Sequence, residues 1–345
     1  MANWGKIYCS SWWGDDSNKN SLPTSQFDQC NAGCFEGASY PFSTKTQLQT
    51  AVDLWVSDNA SAICDYGQIN TWNVSAITDM SELFRDKTTF NDDISNWDVS
   101  SVSTMNTMFR ECNAFNQNIG GWNTGNVNNM REMFFGANSF NQPIGSWDVS
   151  NVTDMAKMFF AALVFNQPIG NWDVSSVTNV NNMFLDANLF DQPLNAWNVS
   201  SVIFMQGMFI GADVFNQPLN NWDTSSVTKI NAMFQQALAF NQDISSWDTS
   251  SVNDMSYMFY SASSFNQNIS TWNVSSVADM IGMFDLTALS TTNYDAILNG
   301  WSALTVQAGV DFGAATITYS AAGQTARGVL TSTPNNWTIT DGGII

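Results

Sequence analysis

Apolar residues recur along most of this chain with one fixed period. Nine tryptophans stand 25 residues apart without an insertion or deletion: Trp72, Trp97, Trp122, Trp147, Trp172, Trp197, Trp222, Trp247 and Trp272. When each tryptophan is counted as position 0, apolar side chains return at +5, +8, +11, +12, +18 and +22. Such self-similarity is the signature of a repeat array, in which one short unit has too little core to fold alone. The pattern therefore predicts a solenoid of about nine coils between two caps.

The spacing within one repeat predicts a short strand, a bend, a short helix and a return loop. From Thr153 to Ala162, apolar residues fall at i, i+3, i+4 and i+7, which is one face of a helix. Trp172-Asp-Val174 alternates inward and outward positions, as a strand does. We therefore expect α/β coils whose short parallel strands stack into a narrow sheet.

The flanking segments lack the period and divide the chain into three parts. Residues 1–68 are predicted to form a cysteine-containing cap with a lead-in helix. Residues 69–288 form the repeat array, and residues 289–345 form a C-terminal cap.

The residues at one position in all the repeats form a column. For two such columns, the sequence must be interpreted as either core or binding surface. The tryptophans keep the same phase as the apolar columns, so we interpret them as core rather than as a sugar-stacking surface. At +19, eight repeats carry a short polar side chain: Asn91, Asn116, Asn141, Asn166, Asp191, Asn216, Asn241 and Asn266. We expect these side chains to bond the turn backbone of their own and neighbouring repeats.

Composition narrows the possible functions. The chain has no histidine, which removes catalytic triads, histidine bases and imidazole metal sites. Its formal net charge of −20 argues against nucleic-acid binding, which requires lysine and arginine to neutralise phosphates. No apolar stretch reaches the length of a membrane span. We therefore expect a protein that is not an enzyme, with no nucleic-acid partner and no membrane span.

Four cysteines lie near the start of the chain: Cys9, Cys30, Cys34 and Cys64. Their clustering in a cap predicts two disulfides in an oxidising compartment, with the connectivity open. A zinc site with four thiolate ligands is the alternative. No apolar run typical of a signal peptide is visible ahead of them, so for a secreted protein we expect the numbering to begin at a trimmed or mature form. Cys112 replaces the alanine of the other repeats, so we interpret it as a buried free thiol.

The outward position +1 carries the candidate binding residues. Asp or Asn follows every repeat tryptophan, and the aspartates in this acidic row are Asp98, Asp148, Asp173, Asp223 and Asp248. Stacked strands lie about 4.8 Å apart, so carboxylates in consecutive repeats would be neighbours. The row could bind a partner, hold Ca²⁺, or serve only as a solvated acidic face.

The repeat string also resembles a known family. The unit from Phe165 through Trp172 to Phe184, with its FNQPI-W-D-V string, resembles the BspA-like bacterial surface-protein repeat, a relative of leucine-rich repeats. The resemblance covers Ile69 to Phe284. It implies a leucine-rich-repeat-like fold and an adhesion-type role in a secreted or cell-surface protein, with no catalytic residues.

The sequence thus predicts a non-catalytic, extracellular or cell-surface module that binds a protein or glycan through the regular face of the solenoid. The alternative is a structural subunit of an extracellular coat or fibre. Ice binding is disfavoured, because Ile203 and Phe204 interrupt the hydroxyl columns.

Overall fold

The computed structural model describes Phe35 and residues 39–345. Within the described residues, two α-helices precede the repeats, α1 (Lys45–Ser57) and α2 (Asn59–Tyr66), and a 3₁₀ turn follows at Ile69–Thr71. Four elements follow the repeats: α3 (Thr291–Ser302), β1 (Asp311–Ala314), α4 (Ala321–Thr331) and β2 (Thr338–Asp341). The nine repeats between them consist of turns and isolated parallel bridges.

Each flanking α-helix begins at a polar cap residue. The side chains of Thr44, Asp58, Ser290 and Ser320 accept hydrogen bonds from backbone N–H groups of the first turns of α1, α2, α3 and α4. These bonds satisfy donors that have no partner within the helix, which fixes where each helix begins.

Consecutive repeats pair along their backbones in parallel. The bridges join residues at +7 of neighbouring repeats, as in Asp154↔Asn179. In the repeat of Trp147, four alternate N–H groups from +8 to +14 donate to carbonyl groups of the next repeat. Met155 N, for example, lies 3.0 Å from Asn179 O, and Phe159 N lies 2.9 Å from Met183 O. Each repeat therefore completes its hydrogen bonds on its neighbour, as a repeat protein requires.

The helix predicted for each repeat is wrong. The segment from Thr153 to Ala162 is a run of tight turns, with i+3 bonds such as Met158 N to Met155 O at 3.1 Å. The backbone φ is positive at +10 and +14 in every repeat, for example 57° at Lys157 and 51° at Ala161. Four-residue turns place +8, +11, +12 and +15 inward, as a helix would. Apolar spacing alone therefore does not distinguish a run of tight turns from a helix.

The strand predicted at Trp172-Asp-Val174 is also wrong, although its inward and outward positions are right. Trp172 and Val174 are buried and Asp173 is exposed, but no bridge forms there. A tight turn begins instead, since Val177 N donates to Val174 O at 2.9 Å. The parallel bridge lies at Asn179, where the chain runs beside its neighbours.

The tryptophan and phenylalanine columns form the core, as predicted. None of the nine repeat tryptophans is more than 4% exposed. Phe184 is fully buried, and its ring centroid lies 5.7 Å from that of Phe159 and 5.6 Å from that of Phe209. Rings of one column stack on those of the next repeat, so the core is continuous along the array.

The +19 column bonds neighbouring repeats, as predicted. Asn141 Oδ1 accepts a hydrogen bond of 2.9 Å from Asn166 N and one of 2.9 Å from Gln167 Nε2. Asn166 Oδ1 in turn accepts bonds from Asp191 N and Gln192 Nε2. This side-chain ladder ties each FNQP turn to the one before it.

Flanking elements cover both ends of the array. At the first repeat, Gln49 of α1 donates from Nε2 to Leu83 O at 3.0 Å. At the last repeat, Met280 N donates to Asp311 O and Phe284 N to Gly313 O, so that β1 extends the parallel ladder. β2 then pairs with β1 in parallel. Some of the carbonyl and N–H groups left over at the array ends thus find partners in the caps.

The cysteine predictions have different outcomes. Cys112 is buried and free, which confirms its interpretation as a buried free thiol, and burial raises the pKa of the thiol to about 12. Cys64 lies in α2. Cys9, Cys30 and Cys34 lie outside the described residues, so the disulfide pairing stays a prediction.

Candidate interaction surface

All five aspartates of the acidic row are exposed, and each is held in a local turn. Asp148 Oδ1 accepts hydrogen bonds from Ser150 N at 3.0 Å and Ser150 Oγ at 2.6 Å. Asp223 accepts from Ser225 N at 3.1 Å and Ser225 Oγ at 2.7 Å. A carboxylate bonded to the backbone two residues on forms an Asx turn. The turn fixes where each carboxylate points.

Hydrogen bonding and mutual repulsion act on these carboxylates in opposite directions. The serine side chain and backbone lower the pKa of Asp98, Asp148, Asp173, Asp223 and Asp248. The charge of Asp148 opposes this at Asp173, and the charge of Asp248 opposes it at Asp223. The net direction is downward for all five, so the row is ionised at neutral pH.

Asparagine replaces aspartate in the same turn at other repeats. Asn198 Oδ1 accepts from Ser200 N at 3.2 Å, and Asn123 Oδ1 accepts from Gly125 N at 3.3 Å. The turn therefore needs an acceptor oxygen but no charge. The asparagines divide the acidic row into the single Asp98 and the neighbouring pairs Asp148/Asp173 and Asp223/Asp248. These are the carboxylates that would be positioned to meet a cationic partner.

The repeats of this chain match a known family. Three overlapping matches, over residues 55–162, 119–217 and 193–301, cover well over half of the 345 residues. The family is described as Mycoplasma protein of unknown function, DUF285. The chain belongs to the DUF285 family. No curated protein matches the chain. Membership confirms a tandem repeat protein, which is the broader part of the predicted resemblance.

The DUF285 repeats also hold an ion-pair cluster that the sequence analysis missed. Glu132 is only 7% exposed, at a +10 position with positive φ. Its carboxylate pairs with Arg110, Arg131 and Lys157, the last two at 3.5 and 3.8 Å. The Arg110 guanidinium also lies 4.2 Å from the ring centroid of Phe135. The sequence did contain one indication of this cluster: basic residues occur on the turn segments of three consecutive repeats.

The described residues were also compared with the requirements for a metal site and for a membrane-spanning helix. Across Phe35 and residues 39–345, no group of three cysteine, aspartate or glutamate side chains converges in a way that could hold a metal ion. Calcium takes about six to eight oxygen ligands, whereas in the described repeats no more than two carboxylates of the acidic row stand in consecutive repeats. In the same part of the chain, no helix combines the length and apolar character needed to cross a bilayer.

Proposed function

We propose that this DUF285 protein is a non-catalytic interaction module, displayed outside the cell or on its surface, that binds a protein or glycan through the +1 face. We further propose that its repeats form a leucine-rich-repeat-like solenoid of the BspA-like type. The observation that carries the binding proposal is the acidic row. Its carboxylates are exposed, ionised and held in Asx turns that leave little conformational entropy to lose on binding.

The contacts between repeats support a regular, extended surface. Each repeat tryptophan from Trp97 onward bonds a carbonyl 28 residues earlier, and each FNQP turn bonds the next. An array held by nearest-neighbour contacts presents the same face at every step, and repeat proteins commonly bind partners through such a surface. The location outside the cell rests on the resemblance and on the predicted cysteine cap.

The test is a shape-preserving variant in which Asp148, Asp173, Asp223 and Asp248 are all replaced by Asn. Asn123 and Asn198 already occupy this column in the same turn, so the variant should fold and melt at or slightly above the parent temperature. Parent and variant are applied to an array of glycans and extracellular-matrix proteins, and hits are titrated in rising salt. We expect the parent to bind, its affinity to fall with salt, and the variant to lose the hits.

Two outcomes would contradict this proposal. Equal binding by parent and variant would place the site off the +1 face. If chelation lowers the melting temperature of the parent but not of the variant, the row is a calcium site instead.

Sedimentation at rising protein concentration distinguishes a binding module from the alternative, a structural subunit of a coat or fibre. A binding module stays small, whereas a coat subunit assembles. The described caps favour the first outcome, because β1 and α1 cover the two ends of the repeat ladder.

A further inference from the structure

An apolar edge runs along four consecutive repeats on the turn side. At +16 and +17, the repeats of Trp147, Trp172, Trp197 and Trp222 expose large aliphatic side chains. These side chains, 36–51% exposed, are Leu163, Val164, Leu189, Val214 and Leu238. The repeats on either side carry polar or small residues there, such as Thr88, Asn113 and Ser263. A contiguous, exposed apolar patch with a polar rim commonly marks a site of interaction with another molecule.

A shallow groove lies beside this edge. It has a volume of about 300 Å³ and is lined by Asp186, Asn188, Gly211, Asp213, Gln236 and Leu238, with Ser261 at one end. Gly211 has a positive φ of 62°, and a Cβ at this position would collide with Oδ1 of Asp186. The absence of a side chain at Gly211 therefore provides the space that the Asp186 carboxylate occupies.

The two carboxylates of the groove, Asp186 and Asp213, have no counter-charge among the described residues. Other turn-side carboxylates pair with cations, as Asp79 does with Lys45 and Asp154 with Arg131. Among the described lysines and arginines, none forms an ion pair with Asp186 or Asp213. Partial desolvation and the charge of Asp213 raise the pKa of Asp186. A cation entering the groove would relieve this repulsion.

A second copy of this chain is a poor occupant. The chain carries a formal charge of −20, and among its described cations all but Lys229 already form ion pairs. The groove instead needs a ligand that combines apolar groups with an available positive charge. Lysine and arginine side chains offer both, since their aliphatic stems pack on apolar surface while the charged head reaches a carboxylate.

We propose that this groove docks an extended, basic and apolar peptide segment of a partner protein. Its apolar side chains pack on the Leu189, Val214 and Leu238 edge, and a lysine or arginine enters between Asp186 and Asp213. This surface is separate from the acidic row at +1, and the inference does not rest on binding at that row.

The test uses fluorescein-labelled nonapeptides and the full chain in fluorescence anisotropy titrations. The probe alternates leucine and lysine; one control peptide replaces leucine with serine, and the other replaces lysine with glutamate. The protein variants are Asp186→Asn with Asp213→Asn, Leu189→Ser with Val214→Ser, and, as matched control on the other face, Asp148→Asn with Asp173→Asn. All six positions lie outside the buried core, and thermal melts verify folding.

We expect the leucine–lysine probe to bind the parent about tenfold more tightly than either control peptide, and each groove variant to lose about tenfold in affinity. The control variant should bind like the parent. The inference is overturned if no probe binds, if the serine–lysine peptide binds equally well, or if the groove variants keep full affinity. Loss of binding only in Asp148→Asn with Asp173→Asn would also overturn it, while supporting the acidic row as the binding surface.

Discussion

The indole Nε1 of Trp172 donates a hydrogen bond of 3.1 Å to the backbone carbonyl of Ile144, 28 residues earlier. The same bond recurs from Trp97 to Trp272, at 2.8 to 3.3 Å. The largest core side chain of a repeat therefore finds its polar partner outside its own repeat, three residues before the preceding repeat tryptophan. This explains in atomic terms why one repeat cannot fold alone.

Replacing Trp172 with Phe should destabilise the protein by about 1–3 kcal/mol, because it removes a buried hydrogen bond and shrinks a buried side chain; the Ile144 carbonyl then keeps only its 3.1 Å bond from Trp147 N. Urea unfolding followed by circular dichroism measures the change. Asp173→Asn at the next, exposed position is the control: it keeps the acceptor oxygen for Ser175 N and should cost under about 0.5 kcal/mol. Equal costs would mean that the inside and outside of the repeat are assigned wrongly.

Asn166 tests the side-chain ladder between repeats. Asn166→Ala should cost about 1–3 kcal/mol, because Asp191 N and Gln192 Nε2 lose their acceptor. Asn166→Asp is the matched control: it keeps an acceptor oxygen, and Asp191 already occupies this column. Chemical unfolding of both variants should place Asn166→Asp close to the parent. A loss of similar size in both would show that the amide acts through something other than its acceptor.

Glu132 tests the ion-pair cluster. Glu132→Gln removes the carboxylate that Arg110, Arg131 and Lys157 share, and we expect a loss of about 1–3 kcal/mol. Glu82 occupies the same +10 position with positive φ, but its side chain is 56% exposed beside Arg85. Glu82→Gln should therefore change stability by less than about 0.5 kcal/mol. Thermal unfolding of the two variants side by side measures the difference, and an equal response would refute the role of burial.

The Asx turns predict the direction of a pH effect. The Ser225 side chain and backbone hold the pKa of Asp223 below 3.8, so folding favours the ionised form. This contribution is present at neutral pH and is lost as the pH falls through the lowered pKa, because the unfolded chain takes up its proton first. Ser225→Ala removes the Oγ donor, so the pKa of Asp223 should rise. Carboxyl NMR titration from neutral pH to about pH 2 measures it. An unchanged titration curve would show that the backbone N–H alone sets the pKa.

Repeat phase predicts which deletions are tolerated. Deleting residues 172–196 removes one full 25-residue period, so the remaining columns stay in register and the protein should fold with a shorter core. Deleting residues 172–191 misplaces every inward column and should give an unfolded or aggregated chain. Circular dichroism and melting distinguish the two, and equal behaviour would contradict the stacked-repeat architecture.

The periodicity allowed the columns to be assigned but not the backbone that carries them. Spacing placed Met155, Met158 and Phe159 inward, and all three are buried. It assigned them to a helix because tight turns with a left-handed residue every fourth position give the same spacing. Lys157 and Ala161 have positive φ, which neither residue type favours; the signal lay only in other repeats, where Gly207 and Gly211 occupy the same positions. The hydrogen bonds from the N–H groups of Lys157 and Ala161 to Asn181 and Leu185 hold the conformation, and both partners lie in the next repeat.

The sequence by itself therefore determined the repeat unit, its inward and outward positions, the tryptophan core and the +19 ladder. These follow from side-chain chemistry repeated in strict register. Only the tertiary structure decided that turns replace the helix, that the parallel bridges lie at +7, and that Glu132 gathers three cations. It also decided that Asp186 and Asp213 share a groove with Leu238. These features depend on contacts between residues about one period apart, which are distant in the chain and become neighbours only when the repeats stack.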